Sequence, residues 1–402
     1  MLKKDNFFKN FSIKGNEYNA DIKKTKKIFL SLKKDLKNSK IPLLESYSKD
    51  YKLQFSRSVV KKYSKYNNII IIGMGGSIQG AKSIYSFLKK KIKKKVFFFD
   101  NLDPNLNAEY KKIKNLKNSC FVVISKSGNT LETITNLSVI FSKNLLKNKL
   151  IVITEDKESD LMKISKKYNA EFIEHKKSIG GRYSVLSEAG MFPAALMGLD
   201  LKKFKNLKNL IKNKNFVSSL IINVATIYSL KKEDIKNSVI LNYDSNLNDL
   251  GYWYQQLVAE SLGKKNQGIN PTLSFGPKDH HSLLQLYLDG PRDKFFTFFN
   301  LSERALKYKI SKNIIPNQIK FSKNKNLELV IKAQCQATKN IFKLKKIPFR
   351  QINFREKNEK TLGEIFTFFV LETILLSRLI NVNPFNQPAV EQIKRETKKI
   401  LS

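Results

Sequence analysis

Short apolar runs alternate with amphipathic stretches along most of this chain. The runs 69–72, 96–99, 120–124 and 150–153 are rich in Ile, Val, Phe and Leu, with segments of helical period between them. Unbroken apolar runs suit strands covered on both faces, and their alternation with helical segments predicts parallel strands joined by crossover helices. This first α/β unit extends to about Asp200. After a helical connection, the runs 239–242, 272–275 and 295–299 restart the strand signal, and a second, similar unit takes in 349–354 and a helix over 362–379. A last helix opens near Pro388, whose fixed φ suits a first helical position, and runs to the end of the sequence. Ahead of the first strand, Ile28, Phe29, Leu32 and Leu36 recur at helical spacing in a Lys-rich arm, expected to pack on a domain rather than fold alone. The organisation read from the pattern is an arm over 1–60, an α/β domain over 61–200, a helical connection over 201–236, a second α/β domain over 237–380 and a C-terminal helical segment over 381–402.

A length of 402 residues exceeds what one hydrophobic core ordinarily supports, in keeping with two domains. The formal net charge of +41 raises the question of nucleic acid. Its distribution argues against that partner. Of the 75 basic residues 67 are lysine, spread through almost every segment, and arginine, the residue of bidentate phosphate recognition, numbers eight. The wealth of Lys, Asn and Ile reads as a compositional bias of the genome, and the positive surface it leaves would draw in a small anionic substrate. Cys120 and Cys335 cannot build a disulfide framework and suit a reducing compartment. The first residues lack a signal-peptide core, and no segment is apolar for long enough to span a bilayer. A cytoplasmic protein without nucleic-acid or membrane partners is expected.

Two turns carry anion-binding chemistry. In Gly-Met-Gly-Gly-Ser from residue 73, Gly73, Gly75 and Gly76 let the backbone approach a ligand, and the helix that follows favours an anion at its N-terminus. Ser77 adds a hydroxyl suited to a phosphate monoester. A dinucleotide fingerprint competes, since Asp100 ends the second strand where a ribose-binding acid sits, but Ile78 stands at the third glycine position. A merely tight turn is the plainer alternative. After the third strand comes Ser-Lys-Ser-Gly-Asn-Thr-Leu-Glu-Thr from residue 125, at a carboxyl end where open α/β sheets bind ligands. Ser125, Ser127 and Thr130, with Lys126 among them, would hold a phosphate through hydroxyl and backbone donors. Capping of the next helix, with Glu132 in its first turn, is the structural alternative. Two such turns on neighbouring strands favour binding.

Between residues 252 and 290, Tyr-Trp-Tyr-Gln-Gln-Leu-Val-Ala-Glu-Ser-Leu-Gly-Lys and Gly-Pro-Lys-Asp-His-His place Glu260 and His281 in one apolar-framed block. Carboxylate and imidazole are the side chains best suited to moving protons near neutral pH. With the two turns, they point to proton transfer on a phosphorylated small molecule. The plainer reading of Glu260 is a solvated helix glutamate. The adjacent pair His280-His281 also suggests a metal, although neighbours in sequence seldom ligate one ion together.

Five blocks in order, covering the chain from about residue 70 to its end, resemble the glucose-6-phosphate isomerase family in its short bacterial form. They are the two turns, Gly-Gly-Arg-Tyr-Ser-Val-Leu-Ser from 180, the block 252–290, and Asn-Pro-Phe-Asn-Gln-Pro-Ala-Val-Glu-Gln-Ile-Lys over 383–394. The resemblance implies two sugar-isomerase (SIS-type) α/β domains, each a mostly parallel sheet flanked by helices. It implies reversible isomerisation of D-glucose 6-phosphate and D-fructose 6-phosphate, in glycolysis and gluconeogenesis, through ring opening and a cis-enediol, with no metal or cofactor. Carried over by motif, Glu260 is the base, Arg182 stabilises the enediolate oxygen, and His281 opens the ring from the neighbouring subunit of a homodimer with shared active sites. Lys394, on the C-terminal active-site helix, assists ring opening. Gly76, Ser77, Ser125, Lys126, Ser127 and Thr130 bind the sugar phosphate, and Gln256, one helical turn before Glu260, also touches the substrate. Lys394 is placed on the edge of a face whose Val390 and Ile393 pack inward. The family usually has Gln-His where this chain has His280-His281. An isomerase that also accepts mannose 6-phosphate and a noncatalytic sugar-phosphate regulator are the nearest alternatives, and the presence of Glu260, His281 and Arg182 speaks against the second.

Overall fold

The computed structural model describes residues 15–111, 113–141, 149–301, 309–311, 313–354 and 356–402. The first fourteen residues of the N-terminal arm lie outside the described residues. Two sheets organise the chain. Strands β1 (Asn68–Gly73), β2 (Lys95–Phe99), β3 (Ser119–Ile124), β4 (Leu150–Thr154) and β5 (Glu171–Glu174) form the first, in the order β2-β1-β3-β4-β5. Strands β6 (Asn237–Asn242), β7 (Asn270–Phe275), β8 (Lys294–Leu301) and β9 (Phe349–Phe354) form the second, in the order β7-β6-β8-β9. Every pairing within the two sheets is parallel. The apolar runs explain this: β1, β3 and β4 are buried along their whole length, as strands covered by helices on both faces must be.

Helices α1 (Gly15–Lys37) and α2 (Arg57–Ser64) precede β1. Helices α3 (Gly76–Leu88), α4 (Leu106–Lys111), α5 (Leu131–Phe141) and α6 (Asp160–Lys167) connect the first sheet, and α7 (Glu188–Leu196), α8 (Leu201–Phe204), α9 (Leu207–Leu210) and α10 (Lys214–Lys232) lead to the second. There α11 (Asn248–Leu262), α12 (Leu284–Asp289), α13 (Leu327–Leu344) and α14 (Glu359–Leu379) follow, and α15 (Val390–Leu401) ends the chain. The asparagine-rich composition serves as punctuation: Asn213, Asn326 and Asn358 each accept a backbone N–H at the start of α10, α13 and α14.

The strand order fixes where a ligand can sit. The neighbours of β1 are β2 on one side and β3 on the other, so the crossovers leave it in opposite directions and a crevice opens at the carboxyl ends of β1 and β3. Gly73 is in register with Ile124. The glycine turn and the Ser-Lys-Ser turn therefore stand side by side at that crevice.

Helix α14 joins the two halves. It is buried around nearly its whole circumference, the pattern of a helix surrounded by other elements. Trp253 and Tyr254 of α11 pack on Phe366 and Phe369 of α14, with ring centroids 4.7 and 4.5 Å apart. One core cluster consequently runs from Phe29 and Leu32 of α1 through both sheets to Val382. Beneath it, Arg350 of β9 pairs with Glu372 of α14 through Nη1 at 2.6 Å and Nη2 at 3.2 Å, and both side chains are fully buried. Thr297 and Asn223 complete the cluster from β8 and α10.

The pattern of apolar runs missed two elements. The edge strand β5 is Glu-Phe-Ile-Glu, whose charged ends mask its period, and α13 buries only Cys335, Thr338 and Phe342. The inward face anticipated for α15 is corrected: none of its residues is buried, and Val390 and Ile393 are 43% and 71% exposed, because no other part of the described residues covers that face.

Replacing Arg350 by Met leaves the Glu372 carboxylate buried without its cation, and unfolding in urea should show a loss of about 3–5 kcal/mol. A loss below about 1 kcal/mol would show that the pair does not hold β9 to α14.

Candidate active site

Glu260 lies in the last turns of α11 and is held from two sides. Its Oε1 accepts from Gln256 Nε2 at 2.8 Å, one helical turn back, and its Oε2 accepts from Arg182 Nη1 at 2.9 Å. The Arg182 side chain is 1% exposed and that of Glu260 is 31% exposed, so the cation is sealed inside while the carboxylate edge remains open to a ligand. Arg182 has every donor group engaged. Its Nε donates to Ser261 Oγ at 2.8 Å, Nη1 also reaches Gln387 Oε1 at 2.8 Å, and Nη2 meets the carbonyls of Pro384 and Asn386 at 2.5 and 3.3 Å. Tyr183 braces the same segment, its hydroxyl donating to the Pro384 carbonyl at 2.9 Å.

The glycine turn closes onto this group. A Cβ on Gly76 would lie 2.2 Å from the Gly181 carbonyl carbon and 2.4 Å from the Arg182 nitrogen, which only glycine permits. Gly75 has φ of +51° and passes so near Gln256 that a Cβ would lie 2.8 Å from its amide nitrogen. Ser77 is buried in the first turn of α3. Asp100, the acid a dinucleotide would need, instead accepts from Lys82 Nζ at 2.6 Å.

In the Ser-Lys-Ser turn the three hydroxyls divide the labour. Ser125 is buried, accepts from the Gly128 N–H at 3.1 Å and pairs with Thr130 Oγ1 at 2.8 Å, so it shapes the loop. Ser127 is exposed and Thr130 half-buried. Lys126 donates to the Lys177 carbonyl at 2.9 Å and lies 3.7 Å from Glu155, and burial, partly offset by Glu155, pushes its ammonium below the usual lysine range. Beside it sits His175, just past β5 and fully buried. Its Nδ1 is 3.3 Å from the Lys176 carbonyl, and among the described residues its Nε2 has no partner. Burial and the Lys126 cation bring His175 down to about 4.

Two residues named from sequence lie apart from this cluster. His281 is exposed at the end of a turn beyond β7, and within the described residues no hydrogen bond or ion pair engages its ring. The turn itself is fixed: Asp279 accepts from Phe275 N at 2.6 Å, and His280 Nε2 lies 2.6 Å from Tyr243 Oη and 3.2 Å from Thr338 Oγ1. Lys394 is on exposed α15 and donates to Glu391 at 2.6 Å. In contrast, Gln387 reaches Arg182, a contact the sequence carried only as part of a motif. Ser261 and Tyr183 were likewise unreadable, since their partners lie 79 and 201 residues away. No group of three or more His, Cys, Asp or Glu side chains placed to hold a metal occurs among the described residues.

Residues 52–276 match the model of a family described as phosphoglucose isomerase. A glucose-6-phosphate isomerase of Methanocaldococcus jannaschii is 34% identical over 83% of this chain and 84% of its own length. One from Campylobacter jejuni is 30% identical over 88% and 89%. Among solved structures, a hypothetical protein of Thermus thermophilus superimposes with a TM-score of 0.77 at 22% identity, covering 96% of this chain and 95% of that one. A glucose-6-phosphate isomerase of Chlamydia trachomatis gives 0.71 at 18% identity, covering 98% and 80%. These two share the fold.

Because folded His175 stays neutral where the unfolded chain takes up a proton, stability is full above about pH 6.5 and falls as pH drops from there toward about 4. The difference amounts to roughly 3 kcal/mol. Unfolding measured at pH 7.5 and pH 4.5 should show a smaller acid loss in His175→Gln than in the parent, and equal losses would remove His175 from the account.

Proposed function

The chain belongs to the phosphoglucose isomerase family, and on that premise we propose that it interconverts D-glucose 6-phosphate and D-fructose 6-phosphate. The observation that carries the reading is the Glu260 carboxylate, braced by buried Arg182 and by Gln256 beneath two anion-binding turns. In this reading the phosphate rests on Ser125, Lys126, Ser127 and Thr130, with Ser77 and the Gly76 backbone at the sugar's side, and Ser125 also keeps the loop in shape. Glu260 takes the proton from C2 of the open-chain aldose and returns it to C1. Arg182, sealed behind Glu260, acts through its charge on the oxygen where negative charge develops in the enediolate, a preorganised cation that need not move during the reaction. Gln256 holds Glu260 at the angle from which it reaches both carbons, and can itself touch the substrate.

Ring opening requires an acid and a base at the ring oxygen and the anomeric hydroxyl. We assign these to His281, supplied by a second copy, and to Lys394. The exposure of His281 and its lack of a partner among the described residues support a homodimer with shared sites, as do the uncovered Val390, Ile393, Ile400 and Leu401 of α15. No helix among the described residues is long and apolar enough to cross a membrane, and both cysteines are buried and free. We place the protein in the cytoplasm, acting in glycolysis and gluconeogenesis on a small sugar phosphate without nucleic-acid or membrane partners. The arm and two-domain boundaries read from the sequence remain our proposed division of the chain.

Given fructose 6-phosphate and no cofactor, the folded protein should form glucose 6-phosphate, and absence of product would overturn the reading. Glu260→Gln should lower kcat by about a thousandfold or more while KM stays within a few-fold, since proton transfer is lost and binding is kept. Near-normal turnover would remove Glu260 from its role. In Ser125→Ala combined with Thr130→Ala, steady-state kinetics should show KM rising with little change in kcat, because the phosphate does not react. An unchanged KM would mean that the phosphate binds elsewhere.

A further inference from the structure

Arg182 depends on a segment that α11 itself holds in place. Three of the acceptors around its guanidinium, the Pro384 and Asn386 carbonyls and the Gln387 side chain, come from the stretch between α14 and α15. At the head of that stretch the Asn383 carbonyl accepts from Lys264 Nζ at 2.7 Å, and the same ammonium donates to the Ser261 carbonyl at 2.9 Å. Lys264 stands two residues past the end of α11 and four after Glu260. A single cation thus fastens the Arg182-binding segment to the helix that carries the base.

We propose that Lys264 is a positioning residue for the isomerisation: by clasping Asn383 to the end of α11, it keeps the 383–387 segment on Arg182 and so keeps the Arg182 charge fixed beside Glu260. The idea rests on the isomerase reading given above. Burial and the Arg182 cation lower Lys264 to about 8, with Glu260 opposing them. The ionisable groups facing it are Arg182 and Glu260, and neighbouring Tyr183 is pushed above its ordinary range by burial. As pH rises through about 8 the amine loses its charge, and the two charge-assisted bonds to the carbonyls weaken. Turnover should therefore fall on the alkaline side because Arg182 loses its support, while binding of the remote phosphate is spared.

The test compares Lys264→Met and Lys264→Arg with the parent by amide hydrogen exchange and by steady-state kinetics on fructose 6-phosphate across pH 6 to about 10. In Lys264→Met the amides of Asn383, Phe385, Asn386 and Gln387 should exchange about tenfold faster or more, with the sheets as protected as in the parent. Its kcat should fall by up to about a hundredfold, the cost of a misplaced catalytic group, with KM within about threefold. Lys264→Arg, which keeps its charge throughout, should recover most of kcat and move the alkaline fall upward by more than about one pH unit. Parent-like exchange in Lys264→Met overturns the proposal. Faster exchange with kcat within about twofold overturns it too, since Lys264 would then serve stability alone. If the parent itself makes no glucose 6-phosphate, the isomerase reading fails, whereas the exchange data still decide whether Lys264 holds the segment.

Discussion

The buried guanidinium of Arg182 is the constraint around which the site is built. Every donor group finds an acceptor, and those acceptors come from parts of the chain far apart in sequence: Glu260 and Ser261 on α11, and Pro384, Asn386 and Gln387 near the C-terminus. A buried cation that loses one partner costs several kcal/mol, so the arrangement tolerates little displacement. The glycine turn after β1 closes against the backbone of the same arginine with no room for a side chain at Gly76. First sheet, α11 and C-terminal segment are thereby brought to a common point.

That point coincides with what the fold offers independently. A parallel sheet whose strands run outward from β1 in both directions must leave a crevice at the carboxyl ends of β1 and β3. The glycine turn and the Ser-Lys-Ser turn follow those two strands, and the second half of the molecule delivers α11 and Glu260 against them. Packing of α11 on α14 through Trp253, Tyr254, Phe366 and Phe369 gives the carboxylate a rigid base. The net charge of +41 is well suited to collecting a doubly charged sugar phosphate.

Much of this was legible in the sequence because burial on both faces writes itself as unbroken apolar runs. The runs in β1, β3, β4, β6 and β8 marked their strands, and the glycines at 75 and 76 marked a turn that the backbone conformation and the close contacts require. Less legible was anything decided by distant partners. Glu171 and Glu174 hid β5, because an edge strand need not be apolar. Gln387 and Lys264 look like any other solvated residues until the fold brings the first to Arg182 and the second to Asn383. That the Ser125 hydroxyl also accepts from Gly128 and pairs with Thr130 was likewise invisible, because a loop's internal bonds follow from its fold. Most instructive is α15, where Ile393 and Lys394 follow an amphipathic pattern that nothing among the described residues satisfies.

The claim that Glu260 carries a proton between neighbouring carbons in this pocket has a direct chemical signature. A proton held on a carboxylate exchanges in part with solvent before it is returned, whereas a hydride passed between carbons does not. When glucose 6-phosphate is brought to equilibrium with fructose 6-phosphate in deuterium oxide, nuclear magnetic resonance should find deuterium at C1 of the ketose and at C2 of the recovered aldose. Conversion with neither position labelled would contradict the account.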